Sequence, residues 1–214
     1  MKITLEKNQK IWFTSDTHYS HQNICRGVST WSDKSSRTRD FHSLGEMNSA
    51  LVNGINLYVD ENDYLVHLGD WSFGGFESIE QFRSQIKCKN IIIFLGNHDH
   101  HIKNNREGIQ EIFKEVAFYD ILEIRRPRDK ETEKYKFFCS HFPVASWEDM
   151  GRGVPHLHGH VHLPPNLKVN SGRAMDVGVD GNDLKPYSLD EILGILKGRP
   201  IKTLVLPKDH HMEN

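Results

Sequence analysis

Leu95-Gly96-Asn97-His98-Asp99-His100 follows the apolar run Ile91-Ile92-Ile93-Phe94. The run reads as a buried strand, and the polar residues after it as the turn at its C-terminal end. Gly96 permits a sharp turn there. Open α/β sheets carry their chemistry at that edge. An amide oxygen, an imidazole and a carboxylate therefore arrive where a site is expected. Asn97 and His98 are neighbours and point different ways in extended or turning backbone. One can hold a metal while the other faces a substrate. Alone, Gly-Asn-His-Asp suits an ordinary polar loop equally well; its meaning comes from companions elsewhere in the chain.

Upstream, residues 11–15 read as a first core strand that runs into Asp16-Thr17-His18. Asp16 and His18 are two apart, so near a strand end they can project to the same side. Residues 64–68 form a second strand that ends in Gly69-Asp70, again a carboxylate after a glycine. Between these strands lies a long polar loop, residues 19–40, carrying His21, Asn23, Arg26, Trp31, Arg37 and Arg39. Loops of that length in compact domains are often functional. Leu44, Met47, Leu51, Ile55 and Tyr58 then recur at helical spacing, which predicts an amphipathic helix over 41–59. A flexible aromatic loop at 71–76 precedes a second helix over 78–87.

Downstream, a short helix is expected around 109–113. Strands at 117–124 and 134–140 are joined by the charged segment 125–133 as a long hairpin. The second of these strands delivers His141, and a polar loop over 146–153 carries Trp147, Asp149 and Arg152. Next comes His156-Leu157-His158-Gly159-His160-Val161-His162. An affinity tag does not explain this run, because it is internal and interleaved with Leu157 and Val161. Gly159 breaks the extended alternation and leaves His160 and His162 as a metal-ligand pair. A strand over 173–180 and a turn at Gly181-Asn182 follow. Ser188-Leu189-Asp190-Glu191 is a capping box opening a helix through 196. A final strand is expected at 201–206, and His210 and His211 fall in a polar tail.

Composition bounds the rest. The 214 residues suffice for one domain, 1–214, with a proper core. Hydrophobic content of 37% and charged content of 26% are those of a soluble globular protein. A net charge of -2 gives no general attraction to nucleic acid or acidic membranes. Cys25, Cys88 and Cys139 make no disulfide framework, which points to a reduced cytoplasmic setting. The N-terminus lacks the apolar stretch of a signal peptide, and no run approaches membrane-spanning length.

Asp16-x-His18, Gly69-Asp70, Gly96-Asn97-His98-Asp99, His141 and Gly159-His160-x-His162, in this order, resemble the calcineurin-like metallophosphoesterase superfamily. The motifs cover residues 12–162. Ser-Asp-Thr-His-Tyr-Ser-His at 15–21 and Asp-Val-Gly-Val-Asp at 176–180 look like its small bacterial and phage branch. The resemblance implies an α/β four-layer sandwich of two mixed β-sheets flanked by helices, with a dinuclear metal site. Asp16, His18 and His162 would hold the first ion, and Asn97, His141 and His160 the second. Asp70 would bridge them; independently, only a carboxylate among these residues offers lone pairs to two cations. Oxygen and nitrogen donors without thiolate suit Mn²⁺, Fe or Zn²⁺ more than copper or Ca²⁺; Mn²⁺ is the first expectation, with Fe, Zn²⁺ or Ni²⁺ as alternatives.

Such a pair can clamp a phosphoryl group and present a bridging hydroxide for in-line attack. His98, left unligated in the family pattern, would protonate the leaving oxygen, with Asp99 orienting it. The pocket walls are expected to supply His21, Asn23, Arg26, Arg39 and Arg152, with the aromatics Trp71 and Phe73, as substrate contacts. They favour a small nucleotide-like phosphodiester over a long nucleic acid. A phosphomonoesterase or protein phosphatase on the same metals stays open, as does a metal-stabilised binding module. Structural zinc sites, however, prefer ligands in tight local pairs. Amide-cleaving metallohydrolases are a poorer match, because no H-x-H-x-D-H run is present.

Overall fold

Each central strand is apolar on both faces, and that decides what stacks against it. In the computed structural model, which describes residues 1–34, 37–129, 131–164 and 172–202, five strands of one sheet run in the order β10-β2-β3-β4-β5. These are β2 (Ile11–Thr14), β3 (Tyr64–His67), β4 (Asn90–Phe94), β5 (Glu115–Ala117) and β10 (Tyr187–Ser188). β2 through β5 are mutually parallel, and β10 is antiparallel to β2. Phe13, Val66 and Ile92 lie in register across β2, β3 and β4. They point with Phe94 toward the second sheet. Trp12, Leu65, Ile91 and Ile93 point the other way. There they meet α1 (Leu44–Asn56) and α2 (Phe76–Gln85) through Val52, Ile55, Ile79 and Phe82.

The second sheet has the order β1-β6-β7-β8-β9. Its strands are β1 (Lys2–Thr4), β6 (Tyr119–Pro127), β7 (Thr132–Ser140), β8 (His156–His158) and β9 (Ala174–Asp176). Leu122, Ile124, Phe137, Leu157 and Met175 fill the space between the sheets. The short α3 (His100–Lys103) follows β4, and α4 (Leu189–Lys197) closes the inter-sheet core with Leu189, Ile192 and Leu196. Two mixed sheets flanked by helices are the expected α/β architecture.

Several boundaries differ from expectation for local reasons. The strand expected from 117 is two strands: Ala117 pairs with Phe94 in one sheet and Tyr119 with Ser140 in the other. The chain crosses between sheets at Phe118, which periodicity alone cannot show. The hairpin strands run deep into the charged segment, where Arg125 pairs with Lys134 and Arg126 with Glu133. α1 starts at Leu44 because Ser43 and Glu46 form a capping box. Residues 201 and 202 are not in a strand, and the remainder of the segment 201–206 lies outside the described residues, as do His210 and His211.

Candidate metal centre

Parallel β2, β3 and β4 all end at one edge, so Asp16-x-His18, Asp70 and Asn97-His98-Asp99 emerge side by side. β7 and β8 of the other sheet bring His141 and the 159–162 turn to the same edge. Backbone bonds weld the turns together. Asp16 N donates to Gly69 O (2.9 Å), His18 N to Asp70 O (3.0 Å) and Gly159 N to His141 O (2.9 Å). His160 N donates to Asp16 Oδ2 (2.9 Å). Asp16, His18, Asp70, His160 and His162 all adopt positive φ, between 46° and 74°. Asp16 and His18 therefore meet through a left-handed turn and not through strand alternation. Gly96 does not have a positive φ; it is needed for space, since a Cβ there would overlap the Asp70 carboxylate. Gly159 likewise lies against Ser15 and the Asp16 carboxylate.

The donor atoms form three overlapping groups, two of which take up the histidines of the expected ion sites. Asp16, His18 and His162 each offer an atom within 4.8 Å of the others, and so do Asp70, His141 and His160. Hydrogen bonds fix which ring nitrogens face inward. His141 Nδ1 lies 2.8 Å from Leu68 O, an acceptor only, so Nδ1 carries the proton. Its Nε2 then faces Asn97 Oδ1 (3.1 Å) and Asp70 Oδ2 (3.5 Å). His162 Nδ1 donates to Asp180 Oδ2 at 2.6 Å, leaving Nε2 free 3.2 Å from His18 Nε2 and 3.7 Å from Asp16 Oδ1. Acceptor atoms converging on one another need a cation between them. Nitrogen and oxygen donors without thiolate make the set fit a hard or borderline divalent ion.

The electrostatics favour positive charge at the same point. Burial pushes the Asp16 carboxyl up to about 7, against the opposing charges of His162 and His141. Burial also disfavours charge on His141. The hydrogen bond and charge of Asp70 outweigh it and lift that imidazole to about 9. Burial opposes ionisation of Asp70 too, yet His141 and His18 hold it well below the carboxylate range. This carboxylate is thus ionised and lies between both donor clusters.

The structure places the other expected site residues unevenly. His98 is half-buried and faces the cleft, its ring 5.2 Å from that of His18. It also falls within ligand range of His18 and Asp70. Asp99 does not reach the His98 ring. Its Oδ2 accepts from Asp70 N (2.7 Å) and Gly96 N (2.8 Å), and its Oδ1 from Trp71 N (3.0 Å). It staples the β3 and β4 turns to each other. Arg39 is buried, forked onto Asp180 (2.8 and 3.0 Å) and donating to the carbonyls of Asp16 and Thr17. Asn23 caps Thr30, Arg26 is tied to Thr38 and Asp40, and Arg152 is an exposed partner of Asp149. Trp71 is fully buried, and Phe73 packs on His21.

A cleft of about 630 Å³ opens over the donors, walled by His21, Trp31, Arg37 and Thr38. Arg37 is exposed. Asp180, the carboxylate that holds His162, was signalled only by the Asp-Val-Gly-Val-Asp stretch.

Residues 9–205 match the family model described as calcineurin-like phosphoesterase. The chain belongs to that family. This phosphoesterase is 26% identical over 200 residues to an uncharacterized protein of Methanocaldococcus jannaschii, covering 92% of this chain and 97% of that protein. A crystal structure of a protein of unknown function from Aquifex aeolicus shares its fold, with a TM-score of 0.62 and 22% identity. That match covers 88% of the phosphoesterase and 100% of the Aquifex chain. Family and donor clusters together identify a metal-dependent phosphoester hydrolase.

Proposed function

We propose that this centre holds two divalent cations, Mn²⁺ first among the candidates, and hydrolyses a small nucleotide-like phosphodiester. The observation that carries the reading is Asp70. Its Oδ2 lies 3.4 Å from His18 Nε2 and 3.5 Å from His141 Nε2, between the two donor clusters. Asp16, His18 and His162 hold one ion, Asn97, His141 and His160 the other, and Asp70 both. When bound, such a pair supplies Lewis acidity toward a phosphoryl oxygen and a water activated near neutral pH.

The chain's own groups do the rest. His98 gives a proton to the departing oxygen from the cleft wall. Asp99 fixes the backbone from which Asp70 and His98 project. Trp31 offers a face on which a base can stack, and Arg37 a guanidinium for a phosphate oxygen. A cleft of about 630 Å³ has the size of small-molecule sites. Arg39 acts through Asp180 and His162. One domain and a cytoplasmic location complete the reading, the latter supported by three free, buried cysteines.

Protein reconstituted with Mn²⁺, Fe²⁺, Zn²⁺ or Ni²⁺ should be screened against bis-p-nitrophenyl phosphate, p-nitrophenyl phosphate, cyclic nucleotides and a phosphopeptide. Faster turnover of the diesters is expected. Efficient dephosphorylation of the phosphopeptide with no nucleotide diester turned over would overturn the substrate assignment.

A further inference from the structure

His21 is a cleft imidazole outside both donor clusters. It sits at the start of the 3-10 turn Gln22–Ile24, where its Nδ1 accepts the Ile24 N–H at 3.2 Å. That N–H is shared with His21 O, also at 3.2 Å, a common arrangement at helix termini. An accepting Nδ1 keeps its lone pair, so the ring proton belongs on Nε2. Nε2 has no hydrogen-bond partner among the described residues. The ring is also held in place. Its centroid stands 4.1 Å from Phe73, edge to face, and 6.1 Å from Trp31. Phe73 in turn donates its N–H to Tyr19 O at 2.8 Å. The ring centroid lies 5.5 Å from His18 and 6.2 Å from His98, so it overlooks the space between the donors and the proposed acid.

We propose that His21 is a substrate-binding residue whose Nε2–H donates a hydrogen bond to a non-bridging oxygen of the phosphate. The assignment rests on the phosphoesterase reading of the same site. Its chemistry differs from that of His98. An imidazole fixed in one neutral tautomer has a hydrogen bond to give an anion but no proton to give a leaving group. Two nearby imidazoles thus divide binding from protonation. Holding the ring through its other nitrogen removes the need to order it when substrate arrives.

The test separates the cap from the donor. His21→Asn keeps an oxygen able to cap the turn but is shorter and loses the Nε2–H. His21→Ala loses both. Metal content, melting temperature, KM and inhibition by inorganic phosphate are measured for Mn²⁺-loaded proteins. His21→Asn is expected to melt and bind metal as the parent does. Its KM and phosphate inhibition constant should each rise about 10- to 100-fold, as for a lost hydrogen bond to a charged group. The loss should be equal for p-nitrophenyl and phenyl esters. Parental KM and phosphate affinity in His21→Asn would reduce the ring to a cap and overturn the proposal. A loss confined to the phenyl ester would overturn it in favour of leaving-group contact. Should the parent bind phosphate yet hydrolyse no phosphoester, the enzymatic reading fails while the phosphate affinities still decide the role of His21.

Discussion

His98 and Asp99 are neighbours in sequence with separate tasks in space. The imidazole faces the cleft, while the carboxylate turns inward and accepts from Gly96, Asp70 and Trp71 N–H groups. The types and spacing of the donor residues are legible in the sequence, because metal chemistry demands them. The partners of Asp99 are not, since those N–H groups gather only when two separate turns pack together. The partner of Asp180 was hidden for the same reason, since the His162 ring that it orients lies 18 residues away. If His98 is the acid, His98→Gln should retain both metals and lower kcat by about 10²- to 10⁴-fold for poor leaving groups. The loss should shrink for p-nitrophenolate, which departs without a proton. Loss of a metal ion instead would move His98 into the ligand set that its distance to His18 and Asp70 permits.

Among elements, the parallel strands β2, β3 and β4 were legible as short apolar runs, each followed by polar site residues. The short β1 was not, because three residues carry no periodicity. The long polar loop at 19–40 is expected to be functional. Its Trp31 and Arg37 line the cleft, and its Arg39 is a clamp. The clamp spans the structure, joining the β2 turn to Asp180 and so to His162. Arg39→Ala should therefore weaken metal binding at the Asp16, His18 and His162 cluster by about 10- to 100-fold, the range for lost outer partners. Chelator competition would measure this, and unchanged affinity would remove Arg39 from the metal site.

The β6–β7 hairpin makes a separate prediction. Hydrogen bonding from Arg126 pulls the Glu133 carboxyl from its ordinary 4.5 to about 2. The folded state then releases this proton more readily than the unfolded chain. The stabilisation is complete above about pH 4.5 and fades as the pH falls toward 2. Glu133→Gln should flatten the dependence of the urea midpoint on pH across that window. An identical slope in parent and variant would show the pair to be inert.

For the molecule as a whole, the sandwich was implied by the family resemblance that the motifs carry, while the facing of its sheets emerges from alternation within β2, β3 and β4. The centre lies where both sheets end, so ligands from each half meet only in the folded chain. Metal binding should therefore report on global stability. A free Mn²⁺ concentration 100 times the dissociation constant adds about 2.7 kcal/mol. In a chain of this size that raises Tm by about 5–10 °C. Calorimetry with and without EDTA would check it, and a Tm indifferent to metal would deny that the ions link the two halves.

The left-handed backbone at the donors has a consequence for what the chain would become without selection for activity. L-residues with side chains disfavour that conformation by about 1–2 kcal/mol each, and His160 holds it at φ 74° while exposed. The fold would thus be better off with glycine at one of its candidate donor positions. His160→Gly should melt above the parent in EDTA, by up to about 1 kcal/mol after the extra freedom of the unfolded chain is counted. His160→Ala, which keeps the side-chain penalty, should not. In saturating Mn²⁺ the parent should rise above both. A crossing of the melting order as metal is added would reveal frustration kept for the sake of catalysis, and the same order in both conditions would refute it.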